Sequence, residues 1–220
     1  MSFVSASLLE PLTIGLQAVR LGGAGPTTRS AVVIGAGTIG LAIIVALKAY
    51  GVQRIAAVDL DASRLKEAME FGADAVFDAA ETTAKQLAEW GTSSADTDGA
   101  DLVLEAVGAA ASVETAIHAV TRGGTVVLVG NVSPAVELPL QTVVTRQIRL
   151  QGSCASAGCY PEAIELAALG TVDLSRFVSR VAPLENGADW FERLHNREPG
   201  ILKVVLQPSG NIEGEANVTF

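Results

Sequence analysis

Residues 31–50 join a short apolar run, Ala31-Val32-Val33-Ile34, to a longer one through Gly35-Ala36-Gly37-Thr38-Ile39-Gly40, and this segment limits the fold more sharply than any other. An apolar run that stops at a glycine reads as a buried strand, and the nearly all-apolar residues 38–50 read as a buried helix ended by Gly51. Each glycine then has a mechanical task. Gly35 makes the tight turn, Gly37 lets a pyrophosphate approach the backbone, and Gly40 lets the helix pack closely on the strand. The free N–H groups of Thr38 and Ile39, at the positive end of the helix dipole, are placed to receive phosphates.

The rest of the chain repeats the same grammar. Residues 54–59, 75–77, 102–104, 125–129 and 147–150 read as strands, and residues 62–71, 82–90 and 110–120 as helices between them. A further helix is expected over 8–21, where Leu9, Leu12, Leu16 and Val19 recur at helical spacing, and a polar loop over 92–99. Strands alternating with helices mean βαβ units, a parallel sheet and helices on both faces. Hydrophobic residues make up 49% of the chain and aromatics only 5%, so the core must be aliphatic, as a sheet buried on both faces requires. The expected fold is α/β: a Rossmann-type, doubly wound parallel sheet of about six strands.

Beyond Gly152 the pattern changes to a helix over 161–169, a strand over 177–181, a helix over 185–196 and a last strand over 201–206. The expected organisation is an N-terminal helix and linker (1–28), a dinucleotide-binding domain (29–153), C-terminal helices with a return strand (154–207), and a disordered polar tail (208–220).

The second half of the nucleotide signature is Asp59, which ends the second strand 19 residues beyond Gly40. A carboxylate there accepts hydrogen bonds from the adenosine ribose hydroxyls and repels a 2′-phosphate, so the expected cofactor is NAD rather than NADP. Arg64 reads as covering the adenine or pairing locally with Asp61. Ligands of such sheets lie at the carboxyl ends of the strands. That puts Val107-Gly108, Val129-Gly130-Asn131 and Ser153-Cys154-Ala155 on the rim, since each follows a strand.

Composition removes several functions. The net charge of −9 gives no positive footprint for a nucleic-acid backbone. The longest apolar stretch, residues 39–49, contains Lys48 and is far short of the roughly 20 residues of a membrane span. The first residues lack the pattern of a signal peptide, and two cysteines cannot build a disulfide framework, so a cytoplasmic protein is expected.

Several stretches together resemble the medium-chain dehydrogenase/reductase family, in its zinc-dependent sorbitol (polyol) and threonine dehydrogenase branch. Residues 8–18, Leu-Leu-Glu-Pro-Leu-Thr-Ile-Gly-Leu-Gln-Ala, are similar to that family's Glu-Pro-Leu helix. The glycine loop, Val58 to Leu65 with Phe71-Gly72-Ala73-Asp74, the run Gly123 to Gly130, and Gly200 to Leu206 carry the rest. The resemblance implies that Ile39, Asp59 and Arg64 contact the adenosine diphosphate half of the cofactor. It implies that Val129, Gly130 and Asn131, with Ser153, Cys154 and Ala155, flank the nicotinamide. Glu10 matches the position of a zinc ligand or near neighbour. A small alcohol or polyol is the implied substrate, and a homo-oligomer stays open because many relatives pair edge to edge through this domain.

One departure limits that expectation. Family members begin with a catalytic domain that supplies a Cys and a His-Glu pair to zinc, and this chain has no counterpart to it. Its only cysteines are Cys154 and Cys159 and its only histidines His118 and His195. Glu10 alone cannot hold the Lewis acid that hydride transfer needs here. Zinc is therefore expected only in a full-length form, with weak NAD binding and little or no turnover by this chain alone. Two readings remain: the cofactor domain of a zinc-type alcohol dehydrogenase, and a stand-alone NAD-binding or redox-sensing module.

Overall fold

Successive side chains of a strand point to opposite faces, so a sheet buried on both sides sorts its apolar residues into two cores. The computed structural model, which describes residues 1–95, 97–196 and 198–208, shows this sorting strand by strand. Ala31, Val33, Ile55, Ala57, Leu102, Leu104 and Val127 enter one core, while Val32, Ile34, Ala56, Val58, Val103 and Val126 enter the other.

The elements are, in chain order, α1 (Phe3–Ala6), α2 (Leu9–Leu21), β1 (Ser30–Ile34), α3 (Thr38–Ala49), β2 (Arg54–Asp59) and α4 (Ala62–Glu70). Then come β3 (Ala75–Asp78), α5 (Ala84–Gly91), β4 (Ala100–Glu105), α6 (Ala110–Ala119), β5 (Val120–Leu128), α7 (Leu140–Thr145) and β6 (Arg149–Gly152). The chain continues through α8 (Tyr160–Ala168), β7 (Arg180–Pro183), α9 (Gly187–His195) and β8 (Val204–Gln207). Strands β1 to β6 form one sheet in the order β3-β2-β1-β4-β5-β6, with all its pairings parallel. This is the Rossmann arrangement, and its direction of growth reverses between β1 and β4.

Helix α2 is built into the first core, where Leu12, Leu16 and Val19 are fully buried or nearly so. It crosses α3 at Gly15, where a Cβ would lie 2.6 Å from the Ala42 carbonyl carbon and oxygen. The helix that carries the glycine loop is thereby held from behind.

Several boundaries differ from the sequence expectation. The run 177–181 is not one strand: Leu174–Phe177 is a 3-10 turn capped by Asp173, and β7 starts at Arg180. Phe177 is buried edge-on against Phe71, with ring centroids 4.7 Å apart, which favours a turn at that point. The last strand begins at Val204 rather than Ile201 and pairs in parallel with β7 in a separate two-stranded sheet. Strand β5 starts directly after α6 at Val120, ahead of the expected Thr125, and β6 runs to Gly152. The short helices α1 and α7 were not anticipated. Apart from Pro208, the expected tail lies outside the described residues.

Candidate functional site

The loop between β1 and α3 shows what each glycine does. Gly35 has φ +95°, a conformation that favours glycine, and a Cβ on Gly40 would lie 1.8 Å from the Gly35 carbonyl oxygen. A Cβ on Gly37 would meet nothing within 4 Å. Gly37 is also the N-cap of α3 and offers no side chain to the first-turn amides. The 12-residue helix therefore presents its positive end, with Thr38 and Ile39 in the first turn, beside an uncrowded glycine.

Asp59, at the end of β2, is tied to this loop. Its Oδ2 accepts the Ala36 N–H at 2.7 Å and its Oδ1 accepts the Asp61 N–H at 3.0 Å. Its side chain is 10% exposed, and the Arg64 guanidinium approaches Oδ2 at 3.9 Å. The ion pair of Arg64 is thus with Asp59. At Asp61 the Ser63 hydroxyl and amide dominate, holding that carboxyl below the usual range, and Arg64 adds a smaller contribution. Glu67, one turn further along α4, is pushed the other way by burial and by neighbouring Glu70, and its Oε2 is buried without a partner among the described residues.

A depression of about 110 Å³ lies here, walled by Gly37, Thr38, Ser63 and Arg64 on one side and by Pro199 and Ile201 on the other. The sequence reading missed this C-terminal wall.

On the far side of the sheet reversal, the loop after β4 meets the glycine loop. The Ala106 N–H donates to the Ile34 carbonyl at 2.8 Å, and a Cβ on Gly35 would lie 2.8 Å from Val107 Cγ2. Val107 and Gly108 donate their N–H groups to the Glu105 carboxylate. Gly108 in turn passes Gly130 and Asn131 backbone to backbone. Ser153 sits beside the end of β5, its N–H donating to the Leu128 carbonyl at 2.9 Å, and its buried hydroxyl has no partner among the described residues. Cys154 is exposed, and Ala155 adopts φ +54°. The structure therefore gathers Gly35, Gly37, Thr38, Ile39, Gly40, Asp59 and Arg64 on one side of the reversal. It gathers Val107, Gly108, Val129, Gly130 and Asn131 on the other, with Ser153 at the next strand end.

The histidines and cysteines do not gather around Glu10, the one candidate metal residue. Glu10 is exposed in the first turn of α2, His118 and His195 are exposed in the last turns of α6 and α9, and Cys159 is buried against Gln17. No group of three or more His, Cys, Asp or Glu able to hold an ion is present among the described residues. These side chains do not fit a zinc site.

Residues 38–168 match the family described as zinc-binding dehydrogenase. Sorbitol dehydrogenase of Rattus norvegicus is 32% identical over 96% of this chain and 58% of its own length. The crystal structure of 2R,3R-butanediol dehydrogenase from Bacillus subtilis superposes with a TM-score of 0.85 at 27% identity, over 94% of this chain and 58% of that one. An alcohol dehydrogenase from Escherichia coli CFT073, solved in complex with NADH, shares the fold with a TM-score of 0.85 at 24% identity, over 94% of this chain and 60% of that one. The chain thus spans about three-fifths of the length of these proteins.

Proposed function

Because this chain belongs to the zinc-binding dehydrogenase family, we propose that it is the NAD(H)-binding region of a zinc-type alcohol or polyol dehydrogenase. The observation that carries the proposal is the contrast among the three loop glycines: positions 35 and 40 are closed to any side chain, while position 37 opens onto free space beside the α3 amides. A sharp turn that leaves one glycine uncrowded at a helix N-terminus suits a pyrophosphate, and Asp59 alongside suits a ribose diol rather than a 2′-phosphate.

In this reading the α3 amides hold the pyrophosphate, Asp59 holds the adenosine ribose, and Arg64 lies over that end of the ligand. The small depression is well under the volume of a typical ligand pocket, so it would wall only part of a dinucleotide. The loops after β4, β5 and β6 would carry the other half. The nicotinamide supplies the hydride acceptor. This chain's residues bind and orient it. Alcohol activation in the zinc-dependent branch needs a metal that the described side chains do not assemble, so the chain by itself is proposed to bind NAD(H) and to turn over little or no alcohol. That same lack of a ligand cluster favours the second reading, an NAD-binding module without chemistry.

Calorimetric titration with NADH, followed by assays of sorbitol and 2,3-butanediol with NAD and added zinc, tests both parts. Binding with negligible turnover is expected. An absence of NADH binding overturns the cofactor assignment, and robust zinc-dependent turnover overturns the proposed need for residues outside this chain.

A further inference from the structure

Glu105 ends β4 as a fully buried carboxylate. A buried charge is tolerated only when its hydrogen bonds are made, and those of Glu105 all point to one place. Its Oε1 accepts the N–H groups of Val107 and Gly108, each at 2.8 Å, and its Oε2 accepts the Gly108 N–H at 3.0 Å. Its own carbonyl accepts the N–H groups of Val129 and Gly130 at 2.8 and 3.0 Å. The loops after β4 and β5 therefore hang from the two ends of a single residue.

Where those loops cross, no atom can be added. A Cβ on Gly108 would lie 2.2 Å from the Asn131 nitrogen, and one on Gly130 would lie 2.1 Å from the Gly108 nitrogen. The Ser133 N–H closes the crossing by donating to the Gly108 carbonyl at 2.8 Å. Val107, positioned by the same carboxylate, is the side chain that abuts Gly35. Movement of the Val107–Gly108 turn would shift the Gly130–Asn131 loop, which it meets backbone to backbone.

We propose that Glu105 is a positioning residue that fixes the nicotinamide half of the cofactor crevice without touching the cofactor. This rests on the NAD reading given above. A carboxylate suits the task better than an amide: it is acceptor-only, it faces two N–H donors, and charge-assisted bonds are the stronger kind. In Glu105→Gln the amide group would turn N–H toward N–H on one side, loosening the turn at nearly constant volume. The adenosine half, held by α3 and Asp59, does not depend on this strut.

The test titrates the full 220-residue chain and its Glu105→Gln variant with NADH and with ADP, with circular dichroism as the check on folding. The expected result is a rise of about tenfold in the NADH dissociation constant, the scale of one weakened charge-assisted bond, while ADP changes by less than about twofold. Equal weakening of both ligands, or none of either, overturns the positioning role. Binding of neither ligand by the wild-type chain overturns the cofactor reading, and this inference falls with it. Should Glu105→Gln not fold, Glu105→Asp carries the same comparison, since it keeps the charge and shortens the reach by one methylene. A preserved NADH affinity in that variant also counts against the proposal.

Discussion

Asp59 and Glu105 occupy equivalent places, each the last residue of a strand in the sheet, and each accepts backbone N–H groups. Their surroundings separate them. Asp59 keeps part of its side chain at the surface and faces Arg64 at 3.9 Å, whereas Glu105 is fully buried and fully committed to its own loop. The carboxylate that can still reach a ligand reads as a contact. The one turned inward reads as architecture. The same contrast runs through the glycines: Gly40 is filled by its neighbour, and Gly37 is open.

The sharpest way to break this contrast is to add one carbon at each of the two glycines. In Gly40→Ala the new Cβ meets the Gly35 oxygen at 1.8 Å, so the loop or α3 must move. A loss of about 3 kcal/mol or more is expected in thermal or urea unfolding. Gly37→Ala places its Cβ in open space with a φ of −73° that alanine accepts. Stability should change by less than about 0.5 kcal/mol while NADH binding weakens. Equal destabilisation by the two substitutions would remove the distinction between packing glycine and binding glycine.

A smaller effect concerns Glu67, a carboxyl that burial and Glu70 raise above its ordinary range. A raised folded-state value means that its stability contribution is fully present below the unfolded value of about 4.3 and is lost as pH rises through the folded value. Glu67→Gln should therefore be modestly more stable than wild type at pH 7, with the gap closing below about pH 4. A gap that stays constant with pH would show that the effect is not one of ionisation.

Much of this was legible in the sequence because it is local. The glycine loop, the strand it follows, the helix it opens and Asp59 at the end of the next strand depend on neighbours in the chain, and the structure shows each where the pattern puts it. Glu105 left a signal that the sequence reading passed over, a carboxylate closing the otherwise apolar Leu102-Val103-Leu104 run, with glycine three residues later. Its role emerges only when β5 lies beside β4. The wall formed by Pro199 and Ile201 had no local signal, because it depends on the C-terminal segment lining the same depression as α4 and the glycine loop far back in the chain. Residues 177–181 misled for a related reason. Phe177 and Val178 look like the start of a strand, but the burial of Phe177 against Phe71 and the Asp173 cap favour a turn.

The central claim is that the glycine loop and Asp59 hold NAD(H) in preference to NADP(H). Parallel titrations of NADH and NADPH, on the wild-type chain and on Asp59→Asn, test it most directly. The account predicts wild-type binding at least about tenfold tighter for NADH, and in Asp59→Asn a loss of NADH affinity that narrows the gap. Equal or tighter binding of NADPH by the wild-type chain, or a gap that Asp59→Asn leaves unchanged, would contradict it.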